Sequence, residues 1–143
     1  MKSLLLVAHG SRRAASNEEI RILTREVAAR SGTAFDHVAC AFLELAEPSI
    51  GAGIEAGIAA GATEVVVFPC FLSAGRHVVR DVSSQVAAKQ REHPDVTMRL
   101  ARHLGASAVL PELILATVAR GTCGCGRMQA QCEFPDCREV ETV

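Results

Sequence analysis

The sequence predicts an α/β fold in three layers: a mainly parallel, four-stranded sheet with helices on both faces. Three observations predict it. Apolar segments of strand length alternate strictly with helical ones along the 143 residues. The strand segments are continuous apolar runs, as expected of strands covered on both faces, not the alternating pattern of a half-solvated sheet. The composition is 49% hydrophobic with five Phe, no Trp and no Tyr, which implies a core of Val, Leu, Ile and Ala.

The first strand is SLLLVA, residues 3–8. Residues 15–31 follow as a helix, with Ile20, Leu23, Val27 and Ala28 recurring at helical spacing. Residues 37–43 form a second apolar strand. Glu47 and Pro48 open a second helix, Glu47 as its cap and Pro48 in its first turn, and it stops at Gly61. Within it Gly53, Gly57 and Gly61 recur every fourth residue, which predicts close backbone approach to the sheet, or else to a second subunit. EVVVF, residues 64–68, is the third strand, residues 78–92 the third helix, residues 96–101 a weaker fourth strand and residues 107–120 a last helix. This length suits one domain, 1–120, followed by a cysteine-rich tail, 121–143.

Composition excludes several classes. A formal net charge of −1 offers no electrostatic footprint for nucleic acid. The apolar run after MKS ends at Ala8, too short for a signal-peptide core or a membrane span, so a cytoplasmic protein without membrane contact is expected. There the six cysteines are expected as thiols or metal ligands. Cys40 and Cys70, inside apolar runs, read as inert core residues.

Open parallel sheets bind ligands beyond the carboxyl ends of their strands. The first strand exits into His9, Gly10, Ser11 and Arg12; the second into Glu44; the third into PCFLSAGRH, which ends at His77; the fourth into His103. Imidazole binds borderline divalent metals and accepts protons near neutrality, and His9 and His77 stand at two such exits beside glycine and arginine. Glu44 is the candidate acid or base. Arg12 and Arg76 would pair bidentately with a polycarboxylate ligand. Ser11, Ser73 and Gly75 join them as substrate-binding candidates, the last two before a helix N-terminus. His37 and His93 read as ordinary surface or boundary residues. No glycine-rich phosphate loop occurs, so no nucleotide is expected.

VAHGSR, FLELAEPSI and FPCFLSAGRHVVRDV, each at a strand exit and in the right order over residues 3–118, resemble the short class II chelatases of the CbiX/SirB type. The resemblance implies sirohydrochlorin as substrate, Co²⁺ or Fe²⁺ as the inserted metal, and His9 and His77 as the metal-site histidines. It also implies a homodimer, since short members resemble one half of larger chelatases. Glu44 or a histidine would collect the pyrrole protons.

Cys123, Cys125, Cys132 and Cys137 lie beyond the resemblance. Four clustered thiols read either as an accessory soft-metal site, an iron–sulfur cluster or Zn²⁺, or as an oxidation-prone tail; their spacing is neither a paired C-x-x-C nor a ferredoxin pattern. A non-catalytic metal carrier or tetrapyrrole-binding protein is the alternative to an enzyme.

Overall fold

A computed structural model describes residues 1–120; the tail and its four cysteines lie outside the described residues. The order is β1 (Lys2–Ala8), α1 (Ala14–Arg30), β2 (His37–Phe42), α2 (Ile50–Ala59), β3 (Glu64–Pro69), α3 (Arg76–Glu92), β4 (Thr97–Leu100), a 3₁₀ turn (Leu104–Ala106) and α4 (Leu110–Arg120). The four strands form one sheet in the order β2-β1-β3-β4, every pairing parallel.

Strand alternation divides the two faces. Leu5, Val7, Ala41, Val65 and Val67 form the core with Ile50 and Ile54 of α2 and Val82 and Val86 of α3. The other face carries Leu4, which lines a surface hollow with Leu23 and Val27 of α1, and Phe42, over whose ring Arg21 of α1 lies 5.3 Å from the centroid. The layers are therefore α1, sheet, and α2 with α3. Phe42 and Phe71 are buried, so the core is not wholly aliphatic.

The glycine stripe packs on the sheet. A Cβ on Gly53 would lie 2.8 Å from Leu5 Cδ1, and one on Gly57 2.9 Å from Ser3 Oγ. The start of α2 differs from expectation. Its cap is Ser49, whose hydroxyl accepts from the Ala52 N–H at 3.3 Å. Glu47 instead accepts from the Ser49 N–H at 3.2 Å, and Pro48 precedes the helix, where its carbonyl accepts from Phe42 N–H at 2.9 Å. In α1 the expected apolar face is only partly used. Leu23 is 42% exposed, while Asn17 and Thr24 are the buried residues.

The chain divides into two compact units, Met1–Ser107 and Ala108–Val143. The first holds the sheet and three long helices; the described part of the second is essentially α4. Among the described residues no helix is long and apolar enough to cross a membrane.

Candidate functional site

The strand order reverses between β1 and β3: the chain leaves β1 toward β2 on one side, and β3 toward β4 on the other. Ligand crevices form at such a switch point. Here the two exits are joined directly, because the ring of His9 packs on that of Phe71 with centroids 4.4 Å apart.

Backbone bonds carry the ladder beyond the strands. Leu43 N–H donates to Ala8 at 2.9 Å, Glu44 N–H to His9 at 3.0 Å, and Cys70 N–H to Val7 at 2.7 Å. Glu44 is thereby fixed beside His9. Gly10 makes this closeness feasible: its φ of 88° favours glycine, and a Cβ there would overlap the Glu44 carbonyl oxygen. Leu45, immediately after Glu44, is also constrained: it holds a φ of 63°, a conformation that costs a non-glycine residue energy and collects at functional loops.

The loop after His9 is pinned by Asn17, which sequence patterning missed. Its Oδ1 accepts from the Ser11 N–H at 2.9 Å and its Nδ2 donates to the Ser11 carbonyl at 2.7 Å. Asn17 is only 7% exposed; a polar side chain is invisible to a search for apolar periodicity. The Ser11 hydroxyl accepts from Arg13 N–H at 3.0 Å. Arg12 is exposed.

His9 and Glu44 line one opening of about 460 Å³ together with Val78, Asp81, Ser84 and Gln85. Asp81 is the second residue that sequence reasoning missed. It stands four residues after His77, on the same helical face, and that spacing in HVVRD was the available signal. His77 itself is exposed in the first turn of α3, outside this lining. Arg76 precedes it, and Gly75 caps α3 without a side-chain bond. Ser73 is exposed, and Leu72 is 68% exposed. Among the described residues the side chains of His9, Glu44, Arg76, His77 and Asp81 make no hydrogen bond or ion pair, so all are free to meet a ligand.

The donors are not preassembled. Among the described residues, the group of metal-ligating side chains whose donor atoms all lie within 4.8 Å of one another is Glu55, Glu92 and His93, on α2 and the end of α3. There Lys89 already bridges the carboxylates, at 2.7 Å to Glu55 and 2.5 Å to Glu92, and His93 Nε2 lies 3.0 Å from Glu55. His93 is thus a partner in an ion-pair cluster, and His37 Nδ1 meets Ser3 Oγ at 2.9 Å. The Cys70 thiol is pushed up to about 11 by burial and by nearby Cys40, which keeps it protonated and inert at neutral pH.

The motifs and this geometry have parallels. The family model CbiX matches residues 3–120. The chain is 38% identical over 82 residues to the sirohydrochlorin cobaltochelatase of Methanococcus maripaludis, a match spanning 57% of this chain and 56% of that one. It is 32% identical over 111 residues to the chloroplastic sirohydrochlorin ferrochelatase of Arabidopsis thaliana, spanning 78% of this chain and 48% of the relative. Its fold matches that of a solved structure described as a cobalamin (vitamin B12) biosynthesis CbiX protein from Marinobacter aquaeolei, with a TM-score of 0.70, 32% identity, and coverage of 84% of this chain and 96% of that one. The chain spans about half the length of the curated relatives it matches. From its matched span, its parallel sheet and its three strand-exit motifs, the chain belongs to the CbiX family.

Proposed function

We propose that this chain is a metal chelatase that inserts Co²⁺ or Fe²⁺ into sirohydrochlorin. The observation that carries the reading is the crevice at the β1/β3 switch point, where His9 and Glu44 share one opening and His77 stands in the first turn of α3, which follows the β3 exit. His9 and His77 receive the metal as cargo. Their donors, dispersed and free, grip it loosely, and two imidazoles yield it to four macrocycle nitrogens. Insertion releases two pyrrole protons, which Glu44 or a histidine accepts; Asp81 lines the same opening and either orients His77 or relays a proton. Arg12 and Arg76 pair with carboxylate arms, with Ser11, Ser73 and Gly75 offering further polar contacts, so orientation supplies part of the rate.

Two copies complete the cleft, because a single small sheet presents one wall to a flat macrocycle; the match to about half of longer relatives supports this. Residues 1–120 form the chelatase domain. The tail 121–143, with Cys123, Cys125, Cys132 and Cys137, is an accessory site for Zn²⁺ or an iron–sulfur cluster, set apart from insertion because thiolates hold such metals too firmly to release them. The six cysteines suit a reducing cytoplasm.

The test is an anaerobic assay with sirohydrochlorin and excess Co²⁺, Fe²⁺ or Ni²⁺, followed by absorbance. Repeated turnover is expected. Stoichiometric binding of metal or tetrapyrrole with no accelerated insertion would instead mark a carrier.

A further inference from the structure

A second cavity, of about 260 Å³, lies beside the switch point. Phe71 and Val82 form its buried floor, Leu100 and Ala101 its side, and Arg102 and His103 its border at the exit of β4. Phe71 is shared: one ring packs on His9 and also lines this cavity. The cavity and the metal-handling histidine are therefore immediate neighbours.

Its walls are built. The Gly105 N–H donates to the Phe71 carbonyl at 2.9 Å, and Ala101 N–H donates to Val67 at 2.9 Å. A Cβ on Gly105 would overlap the Leu72 carbonyl oxygen, so only glycine lets the β4 exit close on the β3 exit. His103 is held by the turn it starts, its carbonyl accepting from Ala106 N–H at 2.9 Å. Among the described residues neither the Arg102 nor the His103 side chain makes a hydrogen bond or ion pair.

We propose that this cavity seats one carboxylate-bearing arm of the tetrapyrrole, with Arg102 and His103 pairing with its carboxylate. The inference rests on the chelatase reading above. The volume is far too small for a macrocycle but suits one side arm. An apolar floor covers a methylene stem, and the Arg102 guanidinium, with the His103 imidazole beside it, answers the charge at its tip. Seating one arm there fixes the macrocycle's rotation about an axis through its centre, next to His9, so these two residues determine substrate orientation.

The test compares Arg102→Met and wild type on sirohydrochlorin and on its fully esterified form in the same mild detergent. Binding is read by absorbance titration without metal, and KM and kcat with excess Co²⁺. Arg102→Met is expected to weaken binding of the acid by about tenfold, the worth of one charged hydrogen-bonded contact, to raise KM with kcat little changed, and to leave binding of the ester unaltered. Ala101→Leu, which fills the cavity while keeping Arg102 and His103, is expected to weaken both forms. An unchanged KM for Arg102→Met in an active enzyme, or equal losses on acid and ester, would overturn this inference and leave the chelatase reading standing. A wild-type chain that neither binds nor metallates sirohydrochlorin would overturn both.

Discussion

Two groups of charged and imidazole side chains stand at different places in this molecule, and they behave in opposite ways. At the seam of α2 and α3, Glu55, Lys89, Glu92 and His93 satisfy one another at 2.5–3.0 Å. At the carboxyl edge of the sheet, His9, Glu44, His77 and Asp81 find no hydrogen-bond or ion-pair partner among the described side chains, and His9 meets only the ring of Phe71. By donor spacing alone the seam resembles a metal site more closely. An ammonium already bridges its two carboxylates, so it serves as a clasp between helices. At the edge, backbone bonds set Glu44 beside His9, His77 stands outside their opening, and none of the four side chains carries a hydrogen bond or ion pair among the described residues.

The comparison breaks most sharply if the edge is not the reactive place. His9→Ala and His77→Ala are each expected to lower insertion by about 100-fold or more, the range of a lost acid–base or metal-handling group, with circular dichroism unchanged. Near-normal turnover in either folded variant would remove the distinction. Gly10→Ala is expected to act on frame and chemistry together. Its Cβ overlaps the Glu44 carbonyl and its φ is unfavourable, so unfolding should become easier by about 1–3 kcal/mol and turnover should fall with it; a chemical-denaturation series paired with rates measures both.

Smaller effects sharpen the seam. Hydrogen bonds from Lys89 first, then His93, hold Glu55 below the usual carboxylate range, and those to Glu55 and Glu92 hold Lys89 above its ordinary value. The depressed carboxylate contributes stability at neutral pH that is lost as pH falls through its lowered pKa. The raised lysine contributes stability that is lost as pH rises through its own. Lys89→Met should therefore lower Tm slightly at neutral pH, lose that difference in strong acid, and leave turnover untouched. All four groups are solvated, so the shift is small. Smallest of all, replacing Cys123, Cys125, Cys132 and Cys137 with Ser should leave insertion of free Co²⁺ largely intact while removing tightly bound zinc or iron; a collapse matching that of His77→Ala would place thiols in the catalytic path.

Much of this was legible in the chain itself. Continuous apolar strands dictated the parallel sheet, and reading each strand's exit brought His9 and Glu44 to one opening. What stayed hidden has physical causes. Asn17 fixes the loop after β1 through a buried amide, which no apolar pattern can reveal. Leu23 sits at helical spacing yet stays exposed, because α1 turns Asn17 and Thr24 inward. Asp81 belongs with His9 only because α3 passes the β1 exit, a matter of helix direction. The cavity at Arg102 requires two loops to meet at Gly105, a contact between distant segments.

The parallel register has a consequence for assembly. β1 lies at the centre of the sheet, yet both its partners come later in the chain: Ser3 meets His37 across 34 residues, while Met1 meets Thr63 across 62. Loop-closure entropy grows only with the logarithm of length, so reaching β3 costs about 0.5 kcal/mol more than reaching β2. That difference is too small to impose an order of events. Side-chain burial does not separate the two either, since β2 brings the fully buried Ala41 and Phe42 and β3 the fully buried Val65 and Val67. The nucleus of folding is therefore expected to draw on both closures around β1, so that the strands flanking the crevice come together as a unit.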